Sequence, residues 1–262
     1  MNKLFCLLSL CCLVACGGGG GSHHHEDEND PKESCSWLGL RPRIYNGAAC
    51  DATRSPVVRL MIIEGDGDFG VCTGTLIDST TVLTAAHCFE DSARSVSVVY
   101  GNSDERRRAE VSQWFVCPKF NGELPAGDVA IVKLSSSILD WPTVPLLFSR
   151  TVMKEETGTI FGYGSTGDDS SFDINTLRGG FAHVTEANDE VVYMKYLYDS
   201  NTCEGDSGGP LIIMENGEAT VAAVTSSGTV DGCGYGDRSY FAALRDPEVQ
   251  SFIMSHSSPA IR

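Results

Sequence analysis

The chain has 262 residues, 42% hydrophobic, 21% charged and 8% aromatic. That balance suits one large globular domain or two small ones, and excludes a mostly disordered chain, a collagen or a polytopic membrane protein. Its formal charge of −16, from 19 Lys and Arg against 35 Asp and Glu, argues against nucleic-acid binding, which needs clustered cations to displace counterions.

Residues 1–16, MNKLFCLLSLCCLVAC, open with a positive charge at Lys3 and continue as an apolar run from Leu4 to Ala15. The run is too short to span a bilayer and has the length of a signal-peptide core. Its end, Leu13-Val14-Ala15-Cys16, resembles a bacterial lipobox, which implies export to the cell envelope with lipid on Cys16. A plain secretory signal cut at a nearby small residue is the alternative. Gly17 to Ser22 is a glycine tether. His23-His24-His25 and the acidic residues after it read as a weak divalent-metal site, an expression tag or a solvated spacer, and no metal or cofactor is assigned. Residues 17–43 are taken together as a Gly-rich, acidic linker and propeptide, and 44–262 as the folded domain.

From Ile44 onward, short β-rich runs recur between Gly, Asp, Asn and Ser clusters. Val57 to Ile63, Val96 to Tyr100, Ala130 to Leu134 and Thr220 to Thr225 are the clearest. This pattern predicts an all-β barrel or sandwich. Near the end, Val249, Phe252 and Ile253 share one helical face, predicting a short C-terminal helix.

Three segments carry the chemistry: Leu83-Thr84-Ala85-Ala86-His87-Cys88, Gly127-Asp128-Val129-Ala130, and Cys203-Glu204-Gly205-Asp206-Ser207-Gly208-Gly209-Pro210. The first two are weak signals alone. The third is specific, because its glycines let the backbone turn tightly and expose a serine hydroxyl beside free amides. In the order His, Asp, Ser, the three resemble the trypsin/chymotrypsin family of serine proteases, from Ile44 to about His256. The resemblance implies two six-stranded antiparallel β-barrels with the site between them, acting as a monomer on protein or peptide substrates. It also implies that Ser207 is the nucleophile, His87 the general base and Asp128 its orienting carboxylate, with the Gly205 and Ser207 amides forming the oxyanion hole. A catalytically silent barrel kept as a binding module is the alternative.

The same resemblance implies disulfides Cys72–Cys88 and Cys203–Cys233, and leaves the pairing of Cys35, Cys50 and Cys117 open. In trypsins an aspartate lies six positions before the nucleophile. Here Asn201 stands there, with Thr202 beside it and, counting back two from Tyr240, Arg238 on the far wall, so strong selection for Lys or Arg is not expected. A loop shifted by one residue would put Asp237 in that place and reverse the preference. Ser226, Ser227 and Gly228 are expected to offer an edge strand to the substrate backbone. Arg43-Ile44-Tyr45-Asn46-Gly47 resembles a zymogen cleavage site. A cut there by a separate activating protease would free an ammonium on Ile44 to pair with Asp206. The plainer alternative is that Arg43 simply ends a linker. If Cys35 bonded Cys117, the cut enzyme would remain tethered to its lipid.

Overall fold

The computed structural model describes residues 35–39, 49–65, 67–90, 93–102, 104–123, 125–165, 173–196, 202–229 and 238–262. Cys16, Arg43, Ile44, Asn201 and Cys233 therefore lie outside the described residues.

Twelve strands form two closed barrels among these residues. The first comprises β1 (Val57–Ile63), β2 (Phe69–Asp78), β3 (Thr81–Thr84), β4 (Ser95–Tyr100), β5 (Arg107–Val116) and β6 (Ala130–Leu134), closing in the order β1-β2-β3-β6-β5-β4. The second repeats that order with β7 (Thr157–Gly162), β8 (Arg178–Ala187), β9 (Val191–Tyr196), β10 (Pro210–Glu215), β11 (Glu218–Gly228) and β12 (Ser239–Ala243). All the barrel pairings are antiparallel.

Side-chain alternation sorts the strand residues between barrel interiors and the seam. In β6, Ala130, Val132 and Leu134 point into the first barrel, while Ile131 joins a second cluster shared with the other barrel. In β10, Leu211 and Ile213 fill the second barrel and Ile212 faces the seam. Strands buried on both faces read as continuous apolar runs, which is why β6 stands out in sequence.

Helix α1 (Pro247–His256) begins where the Asp246 side chain accepts from the amides of Glu248 and Val249, with Pro247 at the first helical position. Its face of Val249, Phe252 and Ile253 packs onto the seam cluster, as its spacing predicts.

The N-terminal segment departs from expectation. Read as linker, Cys35–Gly39 instead forms a helical turn against the seam cluster, with Leu38 N donating to Cys35 O. Cys35 is fully buried and disulfide-bonded to Cys50, and the Trp37 ring meets Phe181 edge-on at 5.5 Å. Burying this much apolar surface outweighs the linker-like composition around it. Cys117 is a buried free thiol, so a Cys35–Cys117 bond is not formed.

Candidate active site

β3 ends at Thr84, and the chain then enters a single 3-10 turn, His87–Phe89. Asp128 lies just before β6 and is completely buried. Its Oδ1 accepts from the His87 amide at 2.9 Å, and its Oδ2 meets His87 Nδ1 at 2.7 Å and the Ser226 hydroxyl at 2.5 Å. A buried carboxylate is costly unless satisfied, and these three donors satisfy it. With a carboxylate at Nδ1, the imidazole proton belongs on that nitrogen, and Nε2 is left to accept. Sequence reasoning places Ser226 on the substrate edge and misses its bond to Asp128. The hydroxyl 98 residues from that carboxylate carried no local signal.

Ser207 sits in a turn held from several sides. Asp206 N donates to Cys203 O at 3.0 Å, Gly209 N to Asp206 O at 2.9 Å and Gly208 N to Thr225 O at 2.8 Å. From the first barrel, Thr73 N donates to Ser207 O at 2.8 Å and the Thr73 hydroxyl to Gly205 O at 2.7 Å. Gly208 has φ +84°, and a Cβ there would lie 2.0 Å from Thr84 Oγ1. Only glycine fits, which accounts for this part of the motif. Among the described residues the amides of Gly205 and Ser207 have no hydrogen-bond partner, and no hydrogen bond joins Ser207 Oγ to His87.

Asp206 turns away from the serine into a cradle beside Gly162 and Gly164. Its Oδ1 accepts from Gly164 N at 2.8 Å and its Oδ2 from Cys203 N at 2.9 Å. A Cβ at Gly162 would stand 2.0 Å from Asp206 Oδ1, so the close approach requires glycine there. Burial pushes the Asp206 carboxyl up to about 6, against the opposing pull of the two amides and Arg178. No cation lies within ion-pair distance of it among the described residues.

Of the expected pocket residues, Thr202 is buried and its hydroxyl hydrogen-bonds that of Ser239. Arg238 is exposed, and its amide donates to the Thr229 hydroxyl at 3.0 Å. Ser227 and Gly228 pair with Tyr240 and Ser239 of β12, after a register shift that follows Thr225. Cys72 and Cys88 are bonded at 2.03 Å beside His87. The three groups cluster closely, but the joined sulfurs are not thiolates and do not suit a metal. Cys203 is also disulfide-bonded.

The family model for trypsin matches residues 44–249. The chain is 28% identical over 250 residues to tissue-type plasminogen activator of Sus scrofa, covering 78% of this chain and 44% of that protein. It is 26% identical over 238 residues to vitamin K-dependent protein C of Rattus norvegicus, covering 79% of this chain and 50% of that protein. The chain thus spans half or less of the length of these relatives. With two closed six-stranded barrels, and with the family match running through both of them, the chain belongs to the trypsin family of serine proteases.

Proposed function

We propose that the protein is an exported serine endopeptidase, held at a membrane surface by lipid on Cys16, that hydrolyses peptide bonds through an acyl-enzyme on Ser207. The observation that carries this reading is the hydrogen-bonded line from Ser226 through Asp128 to His87, beside a serine flanked by two amides with no hydrogen-bond partner among the described residues. His87 Nε2 takes the Ser207 proton as Oγ attacks the scissile carbonyl, then delivers it to the leaving amine. Asp128 fixes the tautomer and stabilises the imidazolium. The Gly205 and Ser207 amides receive the oxyanion, and losing one such donor costs roughly 100- to 1000-fold in turnover. Water then hydrolyses the acyl-enzyme by the same proton relay in reverse. The chemistry requires no cofactor.

Asp206 supports an activation step. Its carboxylate accepts two amide protons and meets no cation among the described residues, so it can receive the ammonium freed on Ile44 by a cut after Arg43. Asn201 supplies no charge to select Lys or Arg, which favours a separate activating protease over self-cleavage. Cys35 and Cys50 lie on opposite sides of that cut, so the cleaved enzyme stays covalently joined to its anchor through Cys50 rather than Cys117.

The alternative, a silent binding module, draws on the missing Ser207–His87 bond. Hydrogen bonds of this kind often tighten only with substrate bound. Peptide hydrolysis by the protein cut after Arg43, compared with its Ser207→Ala variant, tests the assignment. Turnover should vanish in the variant with the fold unchanged, and across a peptide library the residue before the cut should not be dominated by Lys or Arg. Undiminished turnover without the hydroxyl would end the assignment, and a Lys/Arg profile would end the pocket reading.

A further inference from the structure

Asp128 closes a loop that begins at Cys117. Cys117 N donates to Val129 O at 2.9 Å, which ties the two ends of the loop together between β5 and β6. Within it, Asp128 N donates to Pro125 O at 3.2 Å and Val129 N to Gly127 O at 2.7 Å. Asp128 is thus the middle residue of a three-residue turn, and the direction of its side chain follows from where Gly127 sits. Gly127 has φ +71°, and a Cβ on it would lie 2.8 Å from Lys119 Cγ and 2.9 Å from Lys119 Cβ. The Lys119 stem is the wall on which the turn rests.

The far end of that stem is fixed by the other barrel. Lys119 Nζ meets Glu190 Oε1 at 2.6 Å and also the Asp246 carboxylate. Both acids stand on held backbone. Glu190, between β8 and β9, donates its amide to Asn188 Oδ1 at 2.8 Å, and its carbonyl accepts from Ala243 N at 2.9 Å. Asp246 uses one oxygen to cap α1 and the other to receive Lys119. Glu190 is exposed and Asp246 buried, so Asp246 is the stronger anchor. Burial works against the Lys119 charge, but bonds to Asp246 and then Glu190 more than offset it. The ammonium therefore holds its proton more tightly than an ordinary lysine and stays charged at neutral pH.

A shielded ion pair adds little net stability, because desolvation offsets its attraction, and its best use is to fix geometry. The geometry at stake here is that of Asp128. Ser226 holds the carboxylate directly at Oδ2, while Lys119 holds the turn that carries it, so the second barrel grips this first-barrel acid from two sides. We infer that Lys119 is a positioning residue for catalysis: bridged to Asp246 and Glu190, it seats Gly127 and so keeps Asp128 on His87 Nδ1. The inference rests on the protease reading above.

Two measurements test it on the cut, full-length protein. The first is steady-state hydrolysis of a peptide. Lys119→Met keeps a stem against Gly127 and removes the ammonium. A misplacement of about 1 Å away from the chemistry can cost about 100-fold, so kcat should fall on the order of tenfold for a smaller shift, with KM little changed. Asp246→Asn should do the same, since asparagine caps a helix as well as aspartate does and only the charge is lost. The double variant should lose no more than either single one, because both substitutions break one tie. Lys119→Arg keeps a cation able to bridge both carboxylates and should retain most of the turnover.

The second measurement is the proton resonance of His87 Nδ1 in the cut Ser207→Ala protein, which does not depend on turnover. It should broaden or vanish with Lys119→Met, through faster exchange with water. That result supports the positioning role even where no peptide is hydrolysed. A lower melting temperature with kcat and the His87 resonance unchanged would mark a merely structural pair and overturn the role, leaving the protease reading intact. Additive losses in the double variant, or a Lys119→Arg enzyme as slow as Lys119→Met, also overturn it.

Discussion

Asp128 presents one buried carboxyl group met by two His87 nitrogens and the Ser226 hydroxyl. A hydrogen bond to a buried carboxylate is worth about 1.5–3 kcal/mol, so Ser226→Ala should lower kcat/KM on a peptide substrate about tenfold or more. Unchanged kinetics would show that His87 alone positions Asp128. Asp206 offers a test in pH. Its folded pKa of about 6 lies above the ordinary carboxyl value, so the folded, uncut chain holds this proton more tightly than the unfolded chain. Its stabilising contribution is therefore fully present at low pH and lost as pH rises through about 6. Relative to Asp206→Asn, the melting temperature of uncut wild type should fall as pH rises from about 5 to about 7. If the Ile44 ammonium pairs with Asp206 after the cut, that pKa should fall and the trend should disappear. Parallel profiles before the cut would contradict the account.

At the scale of elements, the Cys35–Gly39 turn matters most. Its disulfide closes a loop of 15 residues of separation, worth about 3 kcal/mol by chain entropy. Cys35→Ser should lower the melting temperature by roughly 5–10 °C. It should also let the piece before Ile44 separate from the cut enzyme without reductant, where wild type needs reduction to release it. Co-migration of both pieces in the variant under denaturing, non-reducing conditions would overturn the tether. The sequence could not choose Cys50, because loop entropy depends on length and not on which surface a short segment finds to cover. Strand legibility has a similar physical limit. β1 and β6 are read residue for residue because both of their faces are largely apolar and buried, while β2 escapes notice although its Thr73 grips the Ser207 turn. β2 carries Gly70 and Gly74, which lack β propensity, and a Cβ at Gly74 would lie 2.5 Å from Val82. Close packing needs the glycine that hides the strand.

At the scale of the whole molecule, two barrels meet along a shared apolar seam, and the first supplies His87 and Asp128 while the second supplies Ser207 and Ser226. The motif around Ser207 was legible because its turn accepts only glycine at Gly208. The bonds from Asp128 to His87 and to Ser226 span 41 and 98 residues, and only the closed fold brings those partners together. The proposed activation would bind these scales, since a cut before Ile44 would let its ammonium reach Asp206 and set the amides beside Ser207. Labelling with a fluorophosphonate, before and after cleavage at Arg43, tests this most directly. The account predicts weak labelling of the uncut chain, strong labelling of Ser207 once Ile44 is the new amino terminus, and none in Ser207→Ala. Equal, strong labelling of an Arg43→Gln chain that keeps its residues before Ile44, or no labelling of the cut protein, would contradict it.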